Sequence, residues 1–342
     1  MSTYKGIKGF SIKYLSADPP AANEGQVWYN STDQKMKVFG LVPGGTAWQT
    51  GDNLAAVVRV ARGAGTVTSA LIFGGTNPAD DPTFNSTNSS QSYNGTAWST
   101  EPTMSFYTTT HFANNDTNGL SSSIVSGGFN NTTNALSSAT SWNGTTWSSE
   151  ASMPTGSRYG FSGGTGENII CSGGLGASPS PTTYPNLSAT YNGTAWSSAP
   201  TLNTNRSNGS SGGSFTSAIA FAGCAPPYCT GSNVTETWNG TSWSPVAAYP
   251  VTNAINPTSF AGGGMPTGIY VNETSRNDWN GTAWASGTAT PVSTSGSAGF
   301  GTSSNATFAG GSNPASPGSY LDSTQSWITS SPSIAALDIT TT

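Results

Sequence analysis

The chain has 342 residues, a net charge of −5 and only 7% charged residues, against roughly 25% in an average soluble protein. So sparse and acidic a balance gives no electrostatic basis for binding nucleic acid or an anionic membrane. Aromatic residues make up 11%, which excludes a disordered chain and predicts a large core under a neutral surface of hydroxyls and amides.

A charge break comes first in chain order. Residues 1–37 hold all five lysines against three acidic residues, +2, and the remainder holds five arginines against twelve, −7. The first twenty residues contain no apolar stretch of the kind a secretory signal needs, and no apolar run reaches the 18 residues of a membrane helix, so no membrane insertion is expected. Trp28 and Tyr29, then Ser31–Gln34, then Lys35–Phe39 read as strand, turn and strand of a hairpin. The alternation from Phe10 to Leu15 suits a strand added to a partner's sheet, and Tyr4, Lys5, Lys8, Phe10, Lys13 and Tyr14 are the candidate docking residues. The segment KGIKGFSIKYLSADPPAANEGQVWYNSTDQKMKVFG (5–40) resembles the leading segment of virion structural proteins of tailed phages, marine and cyanobacterial ones especially. That resemblance implies a non-enzymatic structural protein at the virion surface, a tail, fibre or capsid-decoration component present in multiple copies. Its partners would be other virion proteins, reached through the arm, with host surface glycan as a candidate ligand.

From residue 69 two phrases recur in step. Short apolar runs closed by glycine appear at 69–75, 122–128, 168–174, 217–223, 257–263 and 305–311, each reading as a buried strand ending in a tight bend. An aromatic, Asn-Gly-Thr, a small residue and Trp follow at Tyr93–Trp98, Trp142–Trp147, Tyr191–Trp196, Trp238–Trp243 and Trp279–Trp284. Asn-Gly between strand formers predicts a two-residue type I′ hairpin turn, with both residues at positive φ. Four antiparallel strands per 41–49 residues is the size of one propeller blade.

The Gly-Gly strand, the paired aromatics and MPTGSR at 153–158 together resemble the kelch repeat across residues 53–330. The departures are a tighter aromatic-to-Trp spacing, loss of the arginine from several repeats, and Cys224 where repeat four should carry its second glycine. In the sixth repeat Trp327 takes the first aromatic position and no second Trp follows; Trp48, near the other end of the chain, is the candidate to supply it. The expected fold is all-β: a six-bladed kelch-like β-propeller, with seven blades as the alternative if residues 25–50 form a partial blade. The expected domains are a docking arm over 1–40, a propeller over 41–335 closed by the strand around Trp48, and a tail over 336–342. The repeat aromatics are expected to pack between blades, with sugar stacking as the competing role.

Chemistry-bearing residues are few. Cys171 sits in an apolar run as a buried thiol; Cys224 and Cys229 bracket Ala-Pro-Pro-Tyr and either close a loop disulfide or remain thiols. His111 is the only histidine, too few for a zinc site of three protein nitrogens or thiolates, and it is expected at the surface. No catalytic, cofactor or metal residue is predicted. Glycosidase chemistry needs only two carboxylates, so a polysaccharide-degrading propeller is the alternative function, with Asp80, Asp81, Asp116, Glu101 and Glu150 as candidates. Arg59, Arg158 and Arg206 are expected to share one repeat position, and the loops 76–91, 175–187 and 225–234 to offer contact surfaces.

Overall fold

The computed structural model describes residues 12–20, 25–42, 45–77, 86–115, 117–130, 132, 134–176, 184, 187–226, 229–251, 260–261, 267–316, 319–329 and 333–339. Every regular element among them is a strand, and none is a helix. Two compact units result, Met1–Ala47 with Thr329–Thr342, and Trp48–Ile328.

The first unit is one sheet, in the order Lys13–Leu15, Val27–Asn30, Lys35–Val42, Ser333–Asp338. Trp28 is fully buried, its ring 4.5 Å from that of Phe39. Asp18 ties the sheet together, accepting from Trp28 Nε1 at 3.3 Å, Asn30 Nδ2 at 3.0 Å and Lys37 Nζ at 3.3 Å. The Asn30 amide, aided by Lys37, holds the Asp18 carboxyl below its ordinary range. One sequence-based boundary shifts here. Residues 336–342 are not simply a tail, because Ser333–Asp338 pairs antiparallel with Lys35–Val42, Val38 opposite Leu337. That strand covers an edge otherwise left open. Lys13–Leu15 also pairs within its own chain, parallel to Val27–Asn30, so only its outer edge is free of ladder partners in this sheet.

The second unit contains six four-stranded sheets, written from inner to outer strand. Sheet I is Arg62–Thr66, Ser69–Phe73, Ser90–Tyr93, Trp98–Glu101; sheet II is Phe112–Ala113, Ser123–Ser126, Ala139–Trp142, Trp147–Glu150. Sheet III is Phe161–Thr165, Asn168–Ser172, Ser188–Asn192, Trp196–Ser198; sheet IV is Ser210–Ser214, Ser217–Phe221, Thr235–Trp238, Trp243–Val246. Sheet V is Phe260–Ala261, Gly268–Asn272, Ser275–Trp279, Trp284–Ser286. Sheet VI is Ala298–Gly301, Ala306–Ala309, Thr324–Thr329 and, outermost, Thr46–Gly51.

The continuous apolar runs of the second strands follow from burial on both faces. In Ser69–Phe73, Ala70 and Ile72 pack with Ala298 and Phe300 of sheet VI, while Leu71 and Phe73 pack with Val125 and Trp142 of sheet II. The same alternation repeats at Ile169, Ile170 and Cys171, and at Ile219, Ala220 and Phe221. Each fully buried side chain of this size contributes roughly 1.5–3 kcal/mol. The core therefore lies between the sheets, in layers.

The bend after the second strand of five sheets needs two consecutive left-handed residues, among them Gly74 and Gly75 at φ +62° and +92°, and Gly173 and Gly174 at +65° and +94°; in sheet V Glu273 alone is left-handed, at +56°. In sheet IV the pair is Ala222 and Gly223, at +57° and +89°. The irregular residue of repeat four is thus Ala222 at the first position, not Cys224 at the second. A Cβ on Gly75 would lie 2.5 Å from the Arg59 carbonyl oxygen.

The Asn-Gly phrases also turn differently from the two-residue expectation. Tyr93 pairs with Trp98, leaving a four-residue loop in which Gly95 alone lies at positive φ, +94°. Asn94 Oδ1 instead accepts from the amides of Thr96 and Ala97, each at 2.9 Å. Asn143, Asn192, Asn239 and Asn280 make the same pair of bonds. A side-chain acceptor replaces the strained backbone that a type I′ turn requires.

Gly75→Ala is expected to destabilise the second unit by about 2–4 kcal/mol, from the left-handed penalty plus overlap with Arg59. Ala222→Gly should shift stability by no more than about 1 kcal/mol, upward. Urea unfolding of both variants checks the contrast.

Candidate binding site

The inner strands of sheets II to VI lie beside one another in sequence order, and that of sheet VI lies beside that of sheet I. At the end where these strands begin, five residues at one repeat position are left-handed: Val60, Thr110, Tyr159, Asn208 and Gly296, with φ between +54° and +69°. Their backbones hand hydrogen bonds from sheet to sheet. Val60 N donates to Gly296 O at 2.6 Å, Tyr159 N to Thr110 O at 2.9 Å and Asn208 N to Tyr159 O at 2.8 Å. Four of the five are not glycine, and each such residue costs of order 1–2 kcal/mol in this conformation. The inter-sheet bonds hold them there.

All five line one cavity of about 400 Å³. Its remaining wall is Arg59 and Thr76 of repeat one, Thr109 and Phe129 of repeat two, and Ser295 and Ser312 of the last repeat. Among the described residues the lining is hydroxyl, amide, aromatic, aliphatic and one guanidinium. Thr109 and Thr110 are 5% and 6% exposed. Their Oγ1 atoms and Asn208 Oδ1 are buried with no hydrogen-bond partner. A buried polar atom left so costs about 1–3 kcal/mol. Asn115 Nδ2 donates to Gly63 O at 3.0 Å and Gly299 O at 2.9 Å, and the Asn115 backbone bridges Gly213, which ties the inner strands of sheets I, IV and VI together.

The three arginines do not share one position. Arg59 and Arg158 do, since Arg59 bridges Thr76 where Arg158 pairs Leu175, but the equivalent in sheet IV is Ser207, bridging Cys224. Arg59 lies over the Tyr320 ring at 5.4 Å, and Arg158 over the Phe129 ring at 4.9 Å, on the cavity wall. Arg206, one residue earlier than Ser207, is fully buried and bonds Glu236 at 2.9 Å, the Ala222 carbonyl at 2.9 Å and the Val234 carbonyl at 3.1 Å. Glu236 accepts in addition from the Asn203 and Thr204 amides. Burial lowers the Arg206 pKa, opposed by Glu236. This is a structural staple, and removing one partner leaves a buried charge alone.

His111 is a second correction, because it is fully buried and not at the surface. Its ring lies 5.9 Å from that of Phe73, and neither ring nitrogen has a hydrogen-bond partner. Burial, with a smaller push from Arg62, holds its pKa at about 3, so it is neutral at physiological pH. Burial likewise draws Arg62 down to about 10.

The repeat aromatics divide by role. First aromatics anchor their own sheet: Trp142 Nε1 bonds Leu120 O and Trp238 Nε1 bonds Phe215 O, both at 3.0 Å. Tyr191 reaches further, to Glu150 at 2.7 Å. Second tryptophans reach to the preceding repeat: Trp147 to Ser90, Trp196 to the Ala151 carbonyl, Trp243 to Ser172 and Trp284 to Thr235, at 2.7–3.2 Å. Trp98 lies edge-on to Phe300 of sheet VI and stacks near Tyr93. Trp279 is buried against Trp284. Trp48 follows the second-tryptophan pattern, bonding Thr288 O at 2.9 Å, with Trp327 5.5 Å away and Arg276 3.8 Å above the Trp327 ring. None of the twelve lines the cavity.

Of the docking residues, Lys13 and Tyr14 are exposed, Tyr14 by 75%; Tyr4, Lys5, Lys8 and Phe10 lie outside the described residues. Cys224 and Cys229 form a disulfide. Cys171 is a buried thiol whose pKa burial pushes up to about 12. Glu101 and Glu150 occupy equivalent positions on outer strands, bonded to Ser92 and Ser141. Asp80, Asp81 and Asp116 lie outside the described residues, as do the middles of the loops 76–91, 175–187 and 225–234. Among the described residues no cluster of three metal-ligating side chains occurs. Val60, Thr110, Tyr159 and Asn208 share no side-chain type, so only their constant distance before each inner strand could have singled them out.

A solved structure of the protein YjhT matches this chain with a TM-score of 0.62 at 10% identity, over 80% of this chain and 96% of that one. Identity that low shows the fold alone, which is all-β and β-propeller-like. No protein-family model and no curated protein matches the sequence.

Arg206→Met should cost about 3 kcal/mol or more, and the double change with Glu236→Leu clearly less, read by chemical unfolding. His111 predicts a pH effect of defined sign. Its folded pKa of about 3 lies below the unfolded 6.5, so its stability contribution is full above pH 6.5 and is lost as pH falls toward 3. By pH 5 the loss is about 2 kcal/mol, measured as the wild-type change minus that of His111→Phe between pH 7.5 and 5.

Proposed function

We propose that this chain is a non-enzymatic structural protein of a tailed-phage particle, with a six-bladed kelch-like propeller as its displayed module. The observation that carries this reading is the small sheet built from both ends of the chain. It brings together the segment that resembles phage virion proteins and leaves the strand Lys13–Leu15 at an edge, with Ile12 and Tyr14 exposed at 48% and 75%. An edge strand carrying apolar side chains is the surface that strand addition to a partner uses. Blade six would be completed by Thr46–Gly51, a reading supported by Trp48 bonding as the second tryptophans do. The residues 25–42 sit in the other sheet, which favours six blades over seven.

Deleting residues 1–20 should abolish incorporation into particles while circular dichroism and a cooperative melt show the propeller still folded. Normal incorporation of the truncated protein would overturn the docking role. Release of oligosaccharides from host polysaccharide by the purified protein would overturn the non-enzymatic reading.

A further inference from the structure

We infer that the seam between the inner strands of sheets I and II is a binding site for a small inorganic anion, held by Arg62. The inference does not depend on any role in a particle. Three observations carry it.

The first is the state of the five arginines. Arg206 pairs with Glu236 and Arg276 with Asp278, while Arg59 and Arg158 lie over the rings of Tyr320 and Phe129. Arg62 alone has no ion pair, hydrogen bond or ring contact among the described residues, although it is half-buried. Burial draws its pKa down to about 10 with no acidic group opposing, whereas Glu236 opposes the same effect at Arg206. A guanidinium taken from water without a counter-charge carries a desolvation cost that nothing in the described chain offsets.

The second is position. Arg62 opens the inner strand of sheet I as Phe112 and Phe161 open those of sheets II and III. Those two rings are fully buried and pack toward the following sheet, Phe112 with Met153 and Ile169, Phe161 with Leu202 and Ala218. Each lies where a glycine leaves room. A Cβ on Gly160 would come within 2.2 Å of Phe112, and one on Gly209 within 2.6 Å of Phe161. In the seam that Arg62 faces, the residue at this glycine position is His111. One seam thus carries two nitrogen-bearing side chains where the next two carry a ring against a glycine.

The third is His111 itself. It is fully buried, neither ring nitrogen has a partner, and Arg62 is near enough to push its pKa down. The ring is neutral, so one nitrogen carries a hydrogen that lacks an acceptor. Buried donors of this kind call for an ion or a water as partner. A halide or an oxyanion accepts from both side chains and supplies the missing negative charge, and the planar guanidinium suits an oxyanion in particular. No bond is made or broken.

The test is thermal unfolding of the full chain against rising phosphate, sulfate and chloride, with ionic strength held constant by the sodium salt of HEPES. Wild type is compared with Arg62→Gln and with the double variant Arg62→Phe, His111→Gly, which restores the ring-against-glycine pattern of the next two seams. At least one anion should raise the wild-type melting temperature by about 3 °C or more, and that of either variant by less than about a third as much. Arg62→Gln keeps a hydrogen-bonding side chain without the charge, and it decides the question should the double variant not fold. Equal shifts in wild type and Arg62→Gln, or no shift with any of the three anions, would overturn the assignment and leave water as the partner of Arg62.

Discussion

Every sheet of the larger unit is apolar on both faces, and from that the rest follows. Ala70 and Ile72 look one way while Leu71 and Phe73 look the other, so a single sheet would expose as much apolar surface as it covers. Stability is therefore a property of neighbouring pairs, as in other repeat proteins. The second tryptophans make that pairing directional. All but Trp98, whose indole N–H is buried without a partner, stack on the first aromatic of their own sheet and donate the indole N–H backward, so register between those sheets is fixed by a hydrogen bond as well as by packing. Arg276 belongs to the same scheme, gripping Asp278 on one side and lying over Trp327 on the other.

Two features depend on this pairing without taking part in it. The left-handed residues at the start of the inner strands are held by bonds from one sheet to the next, so they exist only once neighbours have docked. The buried Arg206–Glu236 pair ties the approach of sheet IV to its own third strand, and its lone pairs and donors are met by backbone groups. For that pair the accounting closes, whereas the side-chain oxygens of Thr109, Thr110 and Asn208 in the cavity have no partner.

What was legible in the sequence was whatever recurred as a residue type. Apolar runs ending in glycine gave five of the six second strands, and paired aromatics around Asn-Gly gave the outer hairpins, because both depend on local side-chain identity; the run at 257–263 instead holds the inner strand Phe260–Ala261 of sheet V, whose second strand is Gly268–Asn272. The turns depart from the two-residue expectation because Asn offers a side-chain oxygen that a backbone-only rule ignores. One polar letter among threonines carries no sign of burial at His111. Sequence spacing hides the one-residue offset of Arg206 from Arg59 and Arg158, which the bridges to Thr76, Leu175 and Cys224 reveal. The cavity was invisible for a related reason: a position defined by φ can be filled by Val, Thr, Tyr or Asn in turn. The partner of Lys35–Val42 was missed because it lies nearly 300 residues away in the chain.

The asparagine caps have a consequence for how the protein ages. Asn-Gly is the dipeptide most prone to lose ammonia, through attack of the glycine nitrogen on the asparagine side-chain carbonyl carbon, and this chain repeats it at five exposed hairpin tips. In each, the side-chain oxygen is held at 2.9–3.0 Å by the amides two and three residues on. A side chain clamped in that direction is not free to swing onto the glycine nitrogen. The bonds that shape the turns thus also slow the chemical ageing of the chain at these five positions.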